Sequence, residues 1–203
     1  MQKINLFINY FQCGDAERQK ELDFCFNTNI ESGLFKKIIN FDDRPTYNDF
    51  FNATKVYPND INIFANSDIY FNDTINLVRE MGVKDAYALT RWEIDDGEIV
   101  PFENKHHYNA EAKAKHSQDV WVFNGVAKNI RGNFQIGVPG CDNRIAWEIN
   151  NARYRLSNPS DKIQCIHKHK EEKRHYTIKK PIPPPYLWVM PNGVEQPRTR
   201  GRI

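Results

Sequence analysis

Short apolar runs recur along this chain at intervals that leave room for a helix between them. They span residues 3–11, 35–41, 60–64, 85–91, 118–123 and 162–166. Runs of this length, bounded by Gly, Pro, Asn and Asp, read as strands. Between them, Leu22, Cys25, Phe26 and Ile30 recur at helical spacing, as do Tyr47, Phe50, Phe51 and Thr54. Asn72 or Asp73 opens a further helix carrying Ile75, Val78 and Met81, and Gly82 stops it. Asp142 opens another, with Ile145, Ile149 and Ala152 on one face. Strands alternating with helices predict an α/β fold: a single Rossmann-like domain, a mostly parallel central sheet and helices on both faces. Residues 1–178 form that domain. Residues 179–203, rich in proline and arginine, form an extended arm that packs on the domain and ends in disorder. The polar, weakly periodic stretch 93–116 reads as a long loop.

With 40% hydrophobic residues in 203, the chain can bury a sizeable core. No run is apolar for long enough to span a bilayer. The start of the chain does not resemble a secretory signal, so a cytoplasmic location is expected. Cys13, Cys25, Cys141 and Cys165 lack metal-ligand spacing and read as free thiols. The net charge of +2 is uneven: residues 168–203 carry +6 and residues 1–167 carry −4. Only the tail is basic, which argues against nucleic-acid binding.

In open α/β sheets, ligands sit at the carboxyl ends of the strands. Here those ends are Tyr10-Phe11, Asp42-Asp43, Asn66-Ser67-Asp68 and Arg91-Trp92. Asp68 could bind a divalent cation that bridges diphosphate oxygens, or the tripeptide could be a polar turn. Asp142, after Pro139-Gly140, could accept a proton or cap its helix. Arg144 could hold a phosphate or pair with Glu148. Asp119 is a second base or sugar-hydroxyl candidate, or an exposed strand start. His167 and His169 lie on one side of an extended segment and could complete a metal shell, although this spacing alone is a weak metal signal. His106-His107 read as solvated. Pro183-Pro184-Pro185-Tyr186 has the form of a proline-rich ligand, but the apolar run after it favours packing on the domain.

Several blocks occur in a set order: Ala65–Phe71, Ala88–Glu93, Ser117–Phe123, Gly137–Arg144, Leu156–Ser160, His167–His169 and Pro183–Leu187. The ordered series resembles a family of GT-A-fold glycosyltransferase-like proteins of bacteria, plants and large viruses. It covers the chain from Lys3 to about Pro191. The resemblance implies a GT-A-like fold and sugar transfer from a nucleoside diphosphate, a UDP-sugar by preference, to a glycan or glycoprotein acceptor. It implies that Asn66-Ser67-Asp68 stands at the Asp-x-Asp position, with Asp68 facing a weakly held, diphosphate-dependent Mn2+ or Mg2+. Tyr10, Phe11 and Asp42 would hold the nucleoside. Arg18 and Arg91, with Trp92 beside them, would lie near the diphosphate or donor sugar. Asp142 would be the base, and His167 or His169 would reach the metal or phosphate. Asn66 departs from the family pattern by bringing an uncharged amide to the first acidic slot. The alternative is a non-catalytic nucleotide- or sugar-binding module of a larger glycosylation protein.

Overall fold

The computed structural model describes residues 2–102, 118–168, 180–191 and 193–194. His106, His107, Ser117 and His169, and residues 179, 192 and 195–203 of the arm, lie outside the described residues.

Strand β1 (Ile4–Ile8) is buried along its whole length. Ile4, Leu6 and Ile8 join the core on one face of the sheet and Phe7 joins the core on the other. A strand covered on both sides reads as a nearly continuous apolar run, interrupted in β1 only by Asn5, whose side-chain amide donates to Asn62. Helix α1 (Ala16–Glu31) follows, capped by Asp15, whose carboxylate accepts from the amides of Glu17 and Arg18. Strand β2 (Lys37–Asn40) pairs parallel to β1. Helix α2 (Tyr47–Thr54) starts in a reciprocal cap between Thr46 and Asp49. Strand β3 (Ile61–Ala65) then pairs parallel to β1 on its other side.

After β3 come a short strand β4 (Ile69–Phe71) and a helical segment at Asp73–Glu80. That segment is a 3-10 helix, not the expected α-helix. Its apolar residues explain the difference: Ile75, Val78 and Met81 are three apart and all buried, as three residues per turn require. Strand β5 (Asp85–Leu89) ends beside the first residue of β8 (Val120–Asn124), with Leu89 opposite Val120.

Because the chain leaves β5 and re-enters the sheet at the same rim, β8 runs antiparallel to β5 and to β3. The central sheet has the order β2-β1-β3-β8-β5-β9, where β9 is Arg155–Ser157. The expected mostly parallel sheet is therefore a mixed one. A second mixed sheet has the order β4-β10-β6-β7. Its strands β6 (Trp92–Asp95) and β7 (Glu98–Pro101) form a hairpin where a long loop was expected. Asp96 and Gly97, both at positive φ, make its turn. Strand β10 is Cys165–His167.

Helix α3 (Cys141–Asn151) packs with α2 on one face, against Phe7, Phe64, Trp121 and Phe123. On the other face, Ile75 and Val78 cover Leu6, Ile63, Leu89 and Val122. Part of the arm lies against α3: Leu187 is fully buried and its amide donates to the Asn143 carbonyl. A small ribbon pairs β11 (Val189–Met190) with β12 (Gly193–Val194). All four cysteines are free, and three are buried.

Candidate active site

The reversal of β8 gives one rim of the sheet its chemistry. The carboxyl ends of β1, β3 and β5 meet the amino end of β8 there, with Val120 opposite both Ala65 and Leu89. Asn66 extends β3 by one bond, its amide donating to the Asp119 carbonyl. Its side-chain nitrogen also donates to Asp119 Oδ1 at 2.9 Å. Ser67 Oγ donates to the Asn9 carbonyl at 2.8 Å, tying the ends of β3 and β1. These bonds turn the chain so that Asp68 faces α1 and β10.

Asp68 is the hub. Its Oδ2 accepts from Arg18 at 2.5 Å and lies 3.2 Å from His167 Nε2. Arg18 sits in the first turn of α1 and also pairs with Glu21 at 2.9 Å. His167 Nδ1 lies 3.3 Å from Glu93 Oε2, and Arg91 Nε donates to Glu93 Oε1 at 2.6 Å. Arg91 in turn lies 3.5 Å from Asp119 Oδ1. One chain of alternating charge thus runs from Glu21 through Arg18, Asp68, His167, Glu93 and Arg91 to Asp119.

The charges stabilise one another. Burial alone would raise the Asp68 carboxyl, but His167 and Arg18 outweigh it and hold it well below the usual carboxylate range. Burial would lower His167; Asp68 and Glu93 prevail and carry it up to about 9. Glu93 is likewise lowered: burial opposes its ionisation, and His167 and Arg91 overcome it. At neutral pH His167 is therefore an imidazolium with each ring N–H directed at a carboxylate.

Asp142 behaves differently. It sits in the first turn of α3, after Gly140, which caps the helix without a side chain at φ 80°. Its Oδ1 accepts from the Tyr47 hydroxyl at 3.1 Å and from the Cys141 thiol at 3.3 Å. Burial, and then the nearby charge of Asp119, raise its carboxyl to about 7. Cys141, Tyr47 and Arg91 restrain that rise. A carboxyl that titrates near neutrality can both take up and release a proton under physiological conditions.

The structure links Arg18, Asp68 and His167 through Glu93 to Arg91, Asp119 and Asn66, and Ser67 holds the turn between Asn66 and Asp68. The remaining candidates take no part in these contacts. Tyr10 stacks on Phe26 with ring centres 4.6 Å apart and donates to Asp23. Phe11 and Asp42 are exposed beyond the ends of β1 and β2. Trp92 lies within β6, not at a free strand end, and its indole donates to the Ser160 carbonyl at 2.7 Å. Arg144 pairs with Glu148 at 2.7 Å and donates to the Pro183 carbonyl, so it anchors the arm. His169 lies outside the described residues.

Among the described residues, no group of three or more His, Cys, Asp or Glu side chains is arranged to hold a metal. His167 does not fit as a ligand, because both ring nitrogens face carboxylates. Asp68 fits in part. Its Oδ1 is buried and has no partner among the described residues, leaving one anionic oxygen for a cation.

Sequence reasoning overlooked Glu93 and Tyr47. Glu93 stands two residues after Arg91, inside β6. Tyr47 reads as one more core aromatic, yet a phenol in a core needs a polar partner, and that requirement was a usable signal.

Among the described residues, no helix is long and apolar enough to cross a membrane. Comparison of the chain with family models, with curated proteins and with solved structures gives no match.

Proposed function

We propose that the chain is a GT-A-like glycosyltransferase that moves a hexose or deoxyhexose from a nucleoside diphosphate, preferably UDP, to a hydroxyl of a glycan or glycoprotein. One observation carries this reading: Asp142, a carboxyl poised near neutral pH, lies within electrostatic reach of Asp119 and Arg91, which connect to Asp68. Sugar transfer needs a base for the acceptor and positive charge for the leaving diphosphate, side by side.

In this mechanism Asp142 accepts the proton of the acceptor hydroxyl. The acceptor oxygen forms a bond to the anomeric carbon, and the carbon–oxygen bond to the diphosphate breaks. The electron pair leaves with the diphosphate. Arg18 and Arg91 supply positive charge toward which that group departs. Asp119 positions Asn66 and Arg91 and holds Asp142 near neutrality. Asp68 Oδ1 is the atom that would hold Mn2+ or Mg2+, together with diphosphate oxygens. Bound there, the cation would offset phosphate charge. Phe11 and Asp42, exposed beyond neighbouring strand ends, would meet the nucleoside.

Thermal-shift screening against nucleoside diphosphate sugars, with and without manganese, tests donor binding. Turnover assays on the donors that bind test transfer. Stabilisation by a UDP-sugar together with turnover supports the proposal, and no shift with any donor overturns it. Binding without turnover would instead make the chain a nucleotide- or sugar-binding module.

A further inference from the structure

Tyr47 is buried among aromatic rings, and its position is tightly set. Its ring meets Trp121 edge-on at 6.1 Å and Phe134 at 5.5 Å. Its backbone is the first residue of α2, fixed by the Thr46–Asp49 cap. A Cβ added at Gly132 would stand 2.6 Å from the Tyr47 Cβ, so the opposing chain approaches as closely as glycine allows. Only the hydroxyl leaves this apolar setting, and it meets Asp142 Oδ1 at 3.1 Å.

The hydroxyl has one proton. The Cys141 sulfur is 3.9 Å away, so the carboxylate is the better acceptor. Cys141 adds a second, weaker donor to the same oxygen. Burial and the charge of Asp142 push the Cys141 thiol well up, so it keeps its proton. Both donors therefore address Oδ1, and Oδ2 has no hydrogen-bond partner among the described residues. A proton arriving at Asp142 finds Oδ1 already saturated with donors.

We infer that the Tyr47 hydroxyl, assisted by the Cys141 thiol, anchors Oδ1 of Asp142 and directs the proton of the acceptor to Oδ2. Tyr47 is then a positioning residue for transfer, acting through Asp142 and touching no substrate. This inference rests on Asp142 being the base of the proposed glycosyltransferase. The other groups acting on Asp142 are Asp119 at the start of β8 and Arg91 at the end of β5, and neither donates to Oδ1.

The test is Tyr47→Phe, which keeps the ring and removes only the donor. Carboxyl carbon NMR of Asp142 reads the proton equilibrium directly, whether or not a sugar donor is known. Its midpoint should rise by about one pH unit in the variant, the equivalent of one charge-assisted hydrogen bond. Turnover should fall about fivefold at pH 7, the limb of the pH profile should move by the same unit, and donor KM should stay unchanged. Cys141→Ala should move the midpoint in the same direction by less, which keeps the inference testable if Tyr47→Phe folds poorly. An unmoved midpoint in both variants overturns the inference and leaves glycosyl transfer standing. A shifted midpoint in a chain that turns over no donor overturns the transfer reading, and with it the catalytic meaning of the Tyr47 contact.

Discussion

Two carboxylates of this site, Asp68 and Asp142, are driven in opposite directions by their neighbours. Asp68 has two cationic partners on one oxygen and stays ionised. Asp142 has neutral donors, a carboxylate nearby and little water, and its carboxyl rises to about 7. The sign for stability follows. An aspartate ordinarily titrates near 3.9, so folded Asp142 binds its proton more tightly than the unfolded chain does. Ionising it costs folding free energy progressively as pH rises from about 4 to about 7, and in full above that. Asp142→Asn should therefore raise Tm at pH 8 and leave it nearly unchanged at pH 4, as calorimetry can check. The same variant should lower turnover by about 10²–10⁴-fold. Asp68→Ala would leave Arg18 and His167 without their shared acceptor. We expect a loss of about 1–3 kcal/mol in denaturant unfolding, since the group is partly exposed, and loss of any manganese-dependent increment in the UDP thermal shift.

At the scale of elements, the strands most legible in the sequence were those buried on both faces, such as β1, β3 and β8. Their apolar runs are nearly continuous, interrupted within β1 and β3 only by the paired Asn5 and Asn62. The rule of strand ends then led to Asp68 and Arg91, whereas Asp119 was read from the start of β8 and Arg18 from the family resemblance. Strands β4 and β9 have three residues each, too few to show a period. The β6–β7 hairpin was masked by its charged, partly exposed faces, although Asp96-Gly97 marks a tight turn. The direction of β8 was not legible either, because it depends on where the preceding excursion returns. Glu93 was lost with the hairpin that presents it. Glycine has a specific task at the end of β8. Gly125 adopts φ +77°, and a Cβ there would approach the Pro58 carbonyl oxygen to 2.7 Å. Gly125→Ala should destabilise by about 1–3 kcal/mol, measurable as a lower urea midpoint with unchanged slope.

For the whole molecule, the described part of the arm belongs to the fold, through the ribbon of β11 and β12. Leu187 is fully buried and Arg144 ties the Pro183 carbonyl to α3. Leu187→Ala should cost about 2–5 kcal/mol and make the arm the first site cut in limited proteolysis. The position of β8 also governs how the molecule can assemble. Among the described residues it is the only strand bonded to both β3 and β5, so β2-β1-β3 and β5-β9 are separate ribbons until it inserts. During synthesis β3 must wait, with one long apolar edge unpaired, until residues 120–124 emerge. Its proper partner is the same segment that brings Asp119 to Asn66 and Arg91. A chain interrupted before that point would expose a sticky edge and have no site, whereas closure of the sheet seals the edge and assembles this part of the site in a single event.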